Sequence, residues 1–167
     1  MNYLGIDPGS KGYWFAITDD AWDFRRMPRT PDEWRALSVW LDGLCLFTTT
    51  HAVLEDVHSM PGDGKDAAFS FGVNFGRCNL ALEMVGAELL IQTVTPSVWK
   101  PRIAGPFRDP TLTDEKAIEK DKKQAVIRWA QTIYPNISLI PPGCRVPNDN
   151  LAEALALAHY AKHRWKP

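Results

Sequence analysis

The stretch LGIDPGSKGYWFAI, residues 4–17, decides the fold. An apolar run carries one carboxylate, Asp7, to its end, Pro8-Gly9-Ser10 turns the chain, and a second apolar, aromatic run returns. β-Branched and aromatic residues on either side of a Pro-Gly turn predict two hairpin-linked strands, at about 2–7 and 12–18. The Asp19-Asp20 turn leads to a third, at 22–27. The chain therefore opens as three antiparallel strands with an acid at the tip of the first.

Beyond them the pattern changes period. Pro31 opens a helical segment in which Trp34, Leu37, Trp40, Leu41 and Leu44 recur at helical spacing. HAVLEDV (51–57) is a short buried strand, and the glycine-rich MPGDGKDAAFSFG after it breaks regular structure. A helix is expected from Ala67 to Val85, a fifth strand in ELLIQTV (88–94), and a long loop in PSVWKPRIAGPFRDPTLT (96–113), which holds four of the thirteen prolines. The charged run from Asp114 to Tyr134 is a helix stopped by Pro135, and DNLAEALALAHYAKH (149–163) closes the chain as an amphipathic helix. The order βββ-α-β-α-β-α-α predicts an α/β fold, a mixed five-stranded sheet flanked by helices, in a single domain over 1–167.

Composition narrows the function classes. With 45% apolar and 23% charged residues in 167, the chain suits a globular protein with a substantial core, not a disordered one. No apolar run reaches the roughly 18 residues of a membrane span, and no basic-then-apolar leader opens the chain, so a cytoplasmic protein without signal or transit peptide is expected. Cys45, Cys78 and Cys144 form no CxxC pair and are expected to be reduced thiols. Charge is uneven: residues 1–95 hold 7 Lys/Arg against 13 Asp/Glu, whereas residues 96–167 hold 12 against 7. That asymmetry suits an acidic, metal-binding pole beside a basic, phosphate-binding one, and equally suits two solvated faces.

The acids form a pattern. Asp7 closes the first strand, Glu55 lies late in an apolar strand, and Asp149 and Glu153 stand four apart on one face of the last helix. If the first and fourth strands are neighbours, these carboxylates meet at one edge of the sheet. Such an all-oxygen site is suited to Mg²⁺ or Mn²⁺. Singly, each has an ordinary alternative: Asp7 as turn chemistry, Asp149 as a helix cap. Glu55 is the hardest to explain structurally, because a carboxylate in an apolar strand is unfavourable unless paired or bound to metal.

LGIDPGSKG, VLEDVHSMPGDGKDAAFSFG, the WK of PSVWKP, a lysine-bearing helix ending in IYP, and NDNLAEALALAHYA occur in one order over nearly the whole chain. In these motifs the chain resembles the RuvC-type Holliday junction resolvases of the ribonuclease H-like superfamily, especially their phage and chloroplast branch. The bacterial members typically end in DAADALA; here Asn150 holds the place of the earlier aspartate, and DNLAEA is similar to the DGxAEA form of the phage branch. The resemblance implies a ribonuclease H-like fold and a metal-dependent endonuclease that resolves four-way junctions as a homodimer, without nucleotide cofactor or membrane partner. It implies two Mg²⁺ ions (Mn²⁺ substituting) about 4 Å apart, held by Asp7, Glu55, Asp149 and Glu153. It also places Lys123 near the scissile phosphate.

Other candidates are less specific. Lys116, Lys120, Lys122 and Lys123 punctuate the fourth helix; most helix lysines are solvated, but Lys122 and Lys123 are candidate DNA contacts. Lys65 and Phe69 are candidates for the junction centre, where aromatic side chains replace lost base stacking, while Phe71 and Phe75 are expected in the core. Trp99 and Lys100 either contact the DNA backbone or pack. His159 and His163, four apart, lack further zinc ligands and are expected on the helix surface; His58 is expected to be structural. Three other functions share parts of the pattern, one of them a non-catalytic DNA-binding module, against which the retained carboxylates argue. A sugar-kinase or actin-like ATPase also opens with a strand–Asp–Gly hairpin, but needs two such domains. Another ribonuclease H-like nuclease, acting on branched DNA or RNA–DNA hybrids, would use nearly the same acids.

Overall fold

The computed structural model describes residues 1–46, 48–56, 64–85 and 89–164. Strands β1 (Asn2–Ile6), β2 (Tyr13–Ile17) and β3 (Trp22–Arg26) precede α1 (Pro31–Cys45), β4 (Thr50–Glu55), α2 (Lys65–Glu83) and β5 (Leu89–Val94). Helices α3 (Pro96–Ile103), α4 (Glu115–Ile133) and α5 (Asp149–Arg164) follow. The strands form one five-stranded sheet in the order β3-β2-β1-β4-β5. The three N-terminal strands pair antiparallel, and β4 and β5 add in parallel. This is the mixed sheet expected from the sequence.

Alternation of side chains sorts the sheet into two buried faces. Leu4, Ile6, Trp14, Ala16, Ala52 and Leu54 pack against α1 and α2 through Leu37, Leu41, Cys78 and Leu82. Phe15, Ile17, Val53 and Val94 face α3, α4 and α5. Each large apolar side chain so buried contributes roughly 1.5–3 kcal/mol. Cys45 and Cys78 are buried and Cys144 is exposed, and among the described residues no disulfide joins them. Helix α1 starts as predicted, with Pro31 at its first position and a reciprocal cap between Thr30 and Glu33.

Helix α5 lies directly on β1, and Gly5 allows it. A Cβ at Gly5 would stand 2.1 Å from the Ala154 carbonyl oxygen and 2.2 Å from the Ala158 nitrogen. Ala154, Ala158 and Ala161 share one face of α5 and are buried, so the helix carries little bulk where it meets β1. The last helix is thereby set at a backbone-to-backbone distance from the first strand.

One expectation is corrected. Residues 96–113 do not form a single long loop: they open with α3, and a 3₁₀ turn spans Gly105–Phe107. Prolines suggested a loop, but Pro96 sits at the first helical position, where its missing N–H is no loss. Pro101 falls inside this eight-residue helix and forgoes a backbone bond there. Burial of Trp99 and Ile103 offsets that loss.

Candidate active site

Ile6 of β1 is in register with Leu54 of β4, so Asp7 and Glu55 end adjacent parallel strands side by side. Glu55 follows Val53 to the face covered by α5, and Asp7 follows Gly5 to the same face. Glu153 immediately precedes Ala154, whose carbonyl rests over Gly5, and this brings a third carboxylate to the same end of the sheet. Asp7 and Glu55 are buried, at 6% and 3% exposure.

The glycine turn is built around Asp7. The Gly9 N–H donates to Asp7 Oδ1 at 2.9 Å, and the turn closes through Gly12 N–H to the Gly9 carbonyl at 2.8 Å. A Cβ at Gly12 would lie 2.0 Å from the Asp7 carbonyl oxygen and 2.9 Å from its carboxyl carbon, so only glycine fits beneath the acid. The DPGSKG motif is thus a cradle that holds one carboxylate still.

Helix α3 supplies what the sequence left open. Trp99 is fully buried and donates its indole N–H to Glu55 Oε1 at 3.1 Å. The Lys100 ammonium lies 2.9 Å from Glu153 Oε1 and 3.7 Å from Glu55 Oε1, over the Trp99 ring. Trp99 therefore packs and fixes Glu55, and Lys100 lies within the acid cluster.

Electrostatics follow from this crowding. Burial, with the Glu153 and Glu55 charges added, pushes Asp7 from its ordinary 3.8 up to about 8, against the Gly9 N–H and Lys100. Glu55 is also raised, chiefly by burial, although Lys100 opposes it. Burial works against the Lys100 ammonium, but Glu153 and Glu55 outweigh it and hold its pKa above the usual lysine value. Three acids crowd the site, and one tethered cation neutralises them only in part.

The other predicted residues have partners of their own. Asn148 caps α5, its Oδ1 accepting from the Leu151 N–H at 2.9 Å, which leaves Asp149 free of capping duty. Asp149 pairs with Lys123 Nζ at 3.3 Å, outside the Lys100 cluster. Asn150 lines a separate hollow with Ser10, Lys11 and Arg26. Lys122 pairs with Glu119 on the exposed side of α4. Lys65 is exposed at the start of α2. Phe69 is 74% exposed and lines a hollow of about 460 Å³ with Lys11, Arg29 and Arg77. Those three cations belong to the acidic N-terminal half, and only the folded arrangement gathers them. Phe75 packs at the core edge and Phe71 is half-buried. His58 and the rest of 57–63 lie outside the described residues.

His159 is not the surface residue expected. It shares a 2.8 Å hydrogen bond with the Tyr134 hydroxyl and packs on Trp129 and His163. Burial, with His163 and Lys162 nearby, lowers its pKa to about 4, so it is a neutral, half-buried imidazole near pH 7.

The donor chemistry of Asp7, Glu55 and Glu153 fits a hard divalent cation, since all the ligand atoms are carboxylate oxygens. Among the described residues, no three Asp, Glu, His or Cys side chains are grouped tightly enough to hold an ion as they stand. Lys100 bridges two of these acids, Glu153 and Glu55.

The sequence matches no family model and no curated protein. Solved structures do match. RuvC of T. thermophilus in complex with a Holliday junction substrate aligns with a TM-score of 0.56 at 14% identity, over 98% of this chain and 95% of that one. A second Thermus thermophilus RuvC structure aligns with a TM-score of 0.53 at 15% identity, over 98% and 96%. The architecture is ribonuclease H-like and similar to that of RuvC. No helix among the described residues is long and apolar enough to cross a membrane.

Proposed function

We propose that this protein is a metal-dependent, structure-selective DNA endonuclease that resolves four-way junctions by symmetric paired nicks. The observation that carries the proposal is the convergence of Asp7, Glu55 and Glu153, from two strands and a helix, beside Lys100 at one end of the sheet. Crowding carboxylates together out of water destabilises a fold, so such a cluster points to chemistry rather than architecture. The likeness to a RuvC fold solved on a Holliday junction supports DNA as the substrate. The DNLAEA opening of α5 favours the phage and chloroplast branch.

Asp7, Glu55 and Glu153 would hold Mg²⁺ or Mn²⁺, with Asp149 at the rim. When bound, two such ions supply an activated water and neutralise charge on the leaving oxygen in an in-line displacement. The chain's own residues set the conditions for that. The Gly9 N–H and the strand register keep Asp7 in place, and the Trp99 indole keeps Glu55 in one rotamer. Asp7 would ionise, its proton passing to solvent water, and Lys100 and Lys123 would exchange a carboxylate partner for a phosphate oxygen, stabilising charge that develops there. One such site cuts one strand, so resolution of a junction needs two sites related by a twofold axis, in a homodimer.

The test is a substrate panel in Mg²⁺ and in EDTA: a four-way junction, a flap, a linear duplex and an RNA–DNA hybrid. The junction should be cut fastest, and nothing should be cut in EDTA. Equal cutting of duplex and hybrid would move the protein to a general ribonuclease H-like nuclease, and full activity in EDTA would remove the metal.

A further inference from the structure

Between α3 and α4 a groove leads away from the carboxylates. It begins at Glu153 and Lys100 and holds about 840 Å³, within the ~300–1,000 Å³ of sites that take small organic ligands. Its walls divide by chemistry. Pro96, Pro101, Ala104, Leu112, Ile118 and Val126 make an apolar floor. Lys100, Arg108, Lys122 and Lys123 bring positive charge to it, beside the carboxylates of Asp109, Glu119 and Glu153. Three of these cations are already tethered to carboxylates: Lys100 to Glu153, Lys122 to Glu119 and Lys123 to Asp149.

A duplex backbone needs cations along an open surface and has no use for an apolar hollow between them. A hollow with an apolar floor and ammonium groups beside it suits a flat ring carried on a phosphodiester. We propose that this groove takes one unstacked nucleotide of the substrate strand, next to the scissile phosphate, with its base against Leu112 and Ile118 and its phosphate toward Lys100 and Lys123. The proposal rests on the nuclease function above and gives that function its selectivity. In an intact duplex every base is held by stacking and pairing, and must be pulled out to enter. At a branch point that work is partly done. The groove thereby favours branched DNA without reading any base sequence.

The experiment places 2-aminopurine next to the cut positions of a four-way junction, held uncut in Ca²⁺, and follows its fluorescence as the intact protein binds. Unstacking should raise the signal about threefold, while a probe well out along an arm stays unchanged. Leu112→Lys and Ile118→Lys, on a loop and a helix and both half-buried, separate the groove from simple charge attraction. An added lysine strengthens binding if charge alone matters. If a base enters, each variant should instead abolish the fluorescence rise and lower the junction-over-duplex cleavage ratio about tenfold. A junction bound and cut with no change in the adjacent probe, or two lysine variants as selective as wild type, overturns the proposal. If no junction is cut at all, the nuclease function fails. The groove is then judged by titrating a 2-aminopurine-labelled single-stranded tetranucleotide: saturable binding weakened about tenfold by either variant supports it, and no binding at about 1 mM rejects it.

Discussion

Asp7 is a carboxyl buried where its charge works against stability. The unfolded chain ionises this acid above its ordinary 3.8, whereas the folded, metal-free protein keeps it protonated to about 8. A raised carboxyl pKa contributes stability that is fully present below 3.8 and lost as pH rises toward 8. Asp7→Asn, similar in shape and unable to ionise, should therefore melt above wild type at pH 8 in EDTA, by ~2–4 °C for each kcal/mol gained. The gain should vanish by about pH 4. Scanning calorimetry at the two pH values checks it, and a lower melting temperature at pH 8 would contradict the assigned burial. The same variant should lose cleavage by at least ~100-fold, more than a residue one step removed from a metal typically costs, while junction binding persists. Lys123→Ala is predicted to slow cleavage much more than it weakens binding, since one phosphate contact among many contributes little to affinity. Rates and affinities on one junction decide it, and equal losses would make Lys123 a plain electrostatic contact.

At the scale of elements, the seat of α5 on β1 is the joint that brings Glu153 to Asp7. Gly5→Ala must push backbone away from backbone, since Ala154 O would be 2.1 Å from the new Cβ, and should destabilise by about 3 kcal/mol or more. Gly76→Ala, in the open on α2, should stabilise by roughly 0.5–1 kcal/mol. Urea unfolding of both variants checks the pair, and Gly5→Ala within about 1 kcal/mol of wild type would argue against the close helix seat. Strand periods, turns and long helices were legible in the sequence because each is a local pattern, and so was the meeting of Asp7 with Glu55 once the two strands were taken as neighbours. Helix α3 was not legible, because its prolines outweighed a drive that comes only from burying Trp99 and Ile103 against other elements. For the same reason Trp99 and Lys100 could not be assigned: their partners are 44 to 53 residues away along the chain. His159 was misplaced because Tyr134, 25 residues distant, shares its hydrogen bond.

The whole molecule sets acids at one end of a sheet and cations around them. Lys100, Lys122 and Lys123 border the groove on one side, and Lys11, Arg29 and Arg77 line a hollow with Phe69 on the other. A net charge of −1 conceals this arrangement. Junction affinity should therefore fall steeply with salt, following shape more than sequence. The most direct measurement labels each strand of an immobile four-way junction in turn and maps the cuts in Mg²⁺ under single-turnover conditions. Paired nicks, symmetric about the branch point on two strands of like polarity, and absent with Asp7→Asn, are the predicted result. Cuts on one strand alone, or the same cuts on a linear duplex, would contradict a twofold pair of Asp7–Glu55–Glu153 sites acting on a junction.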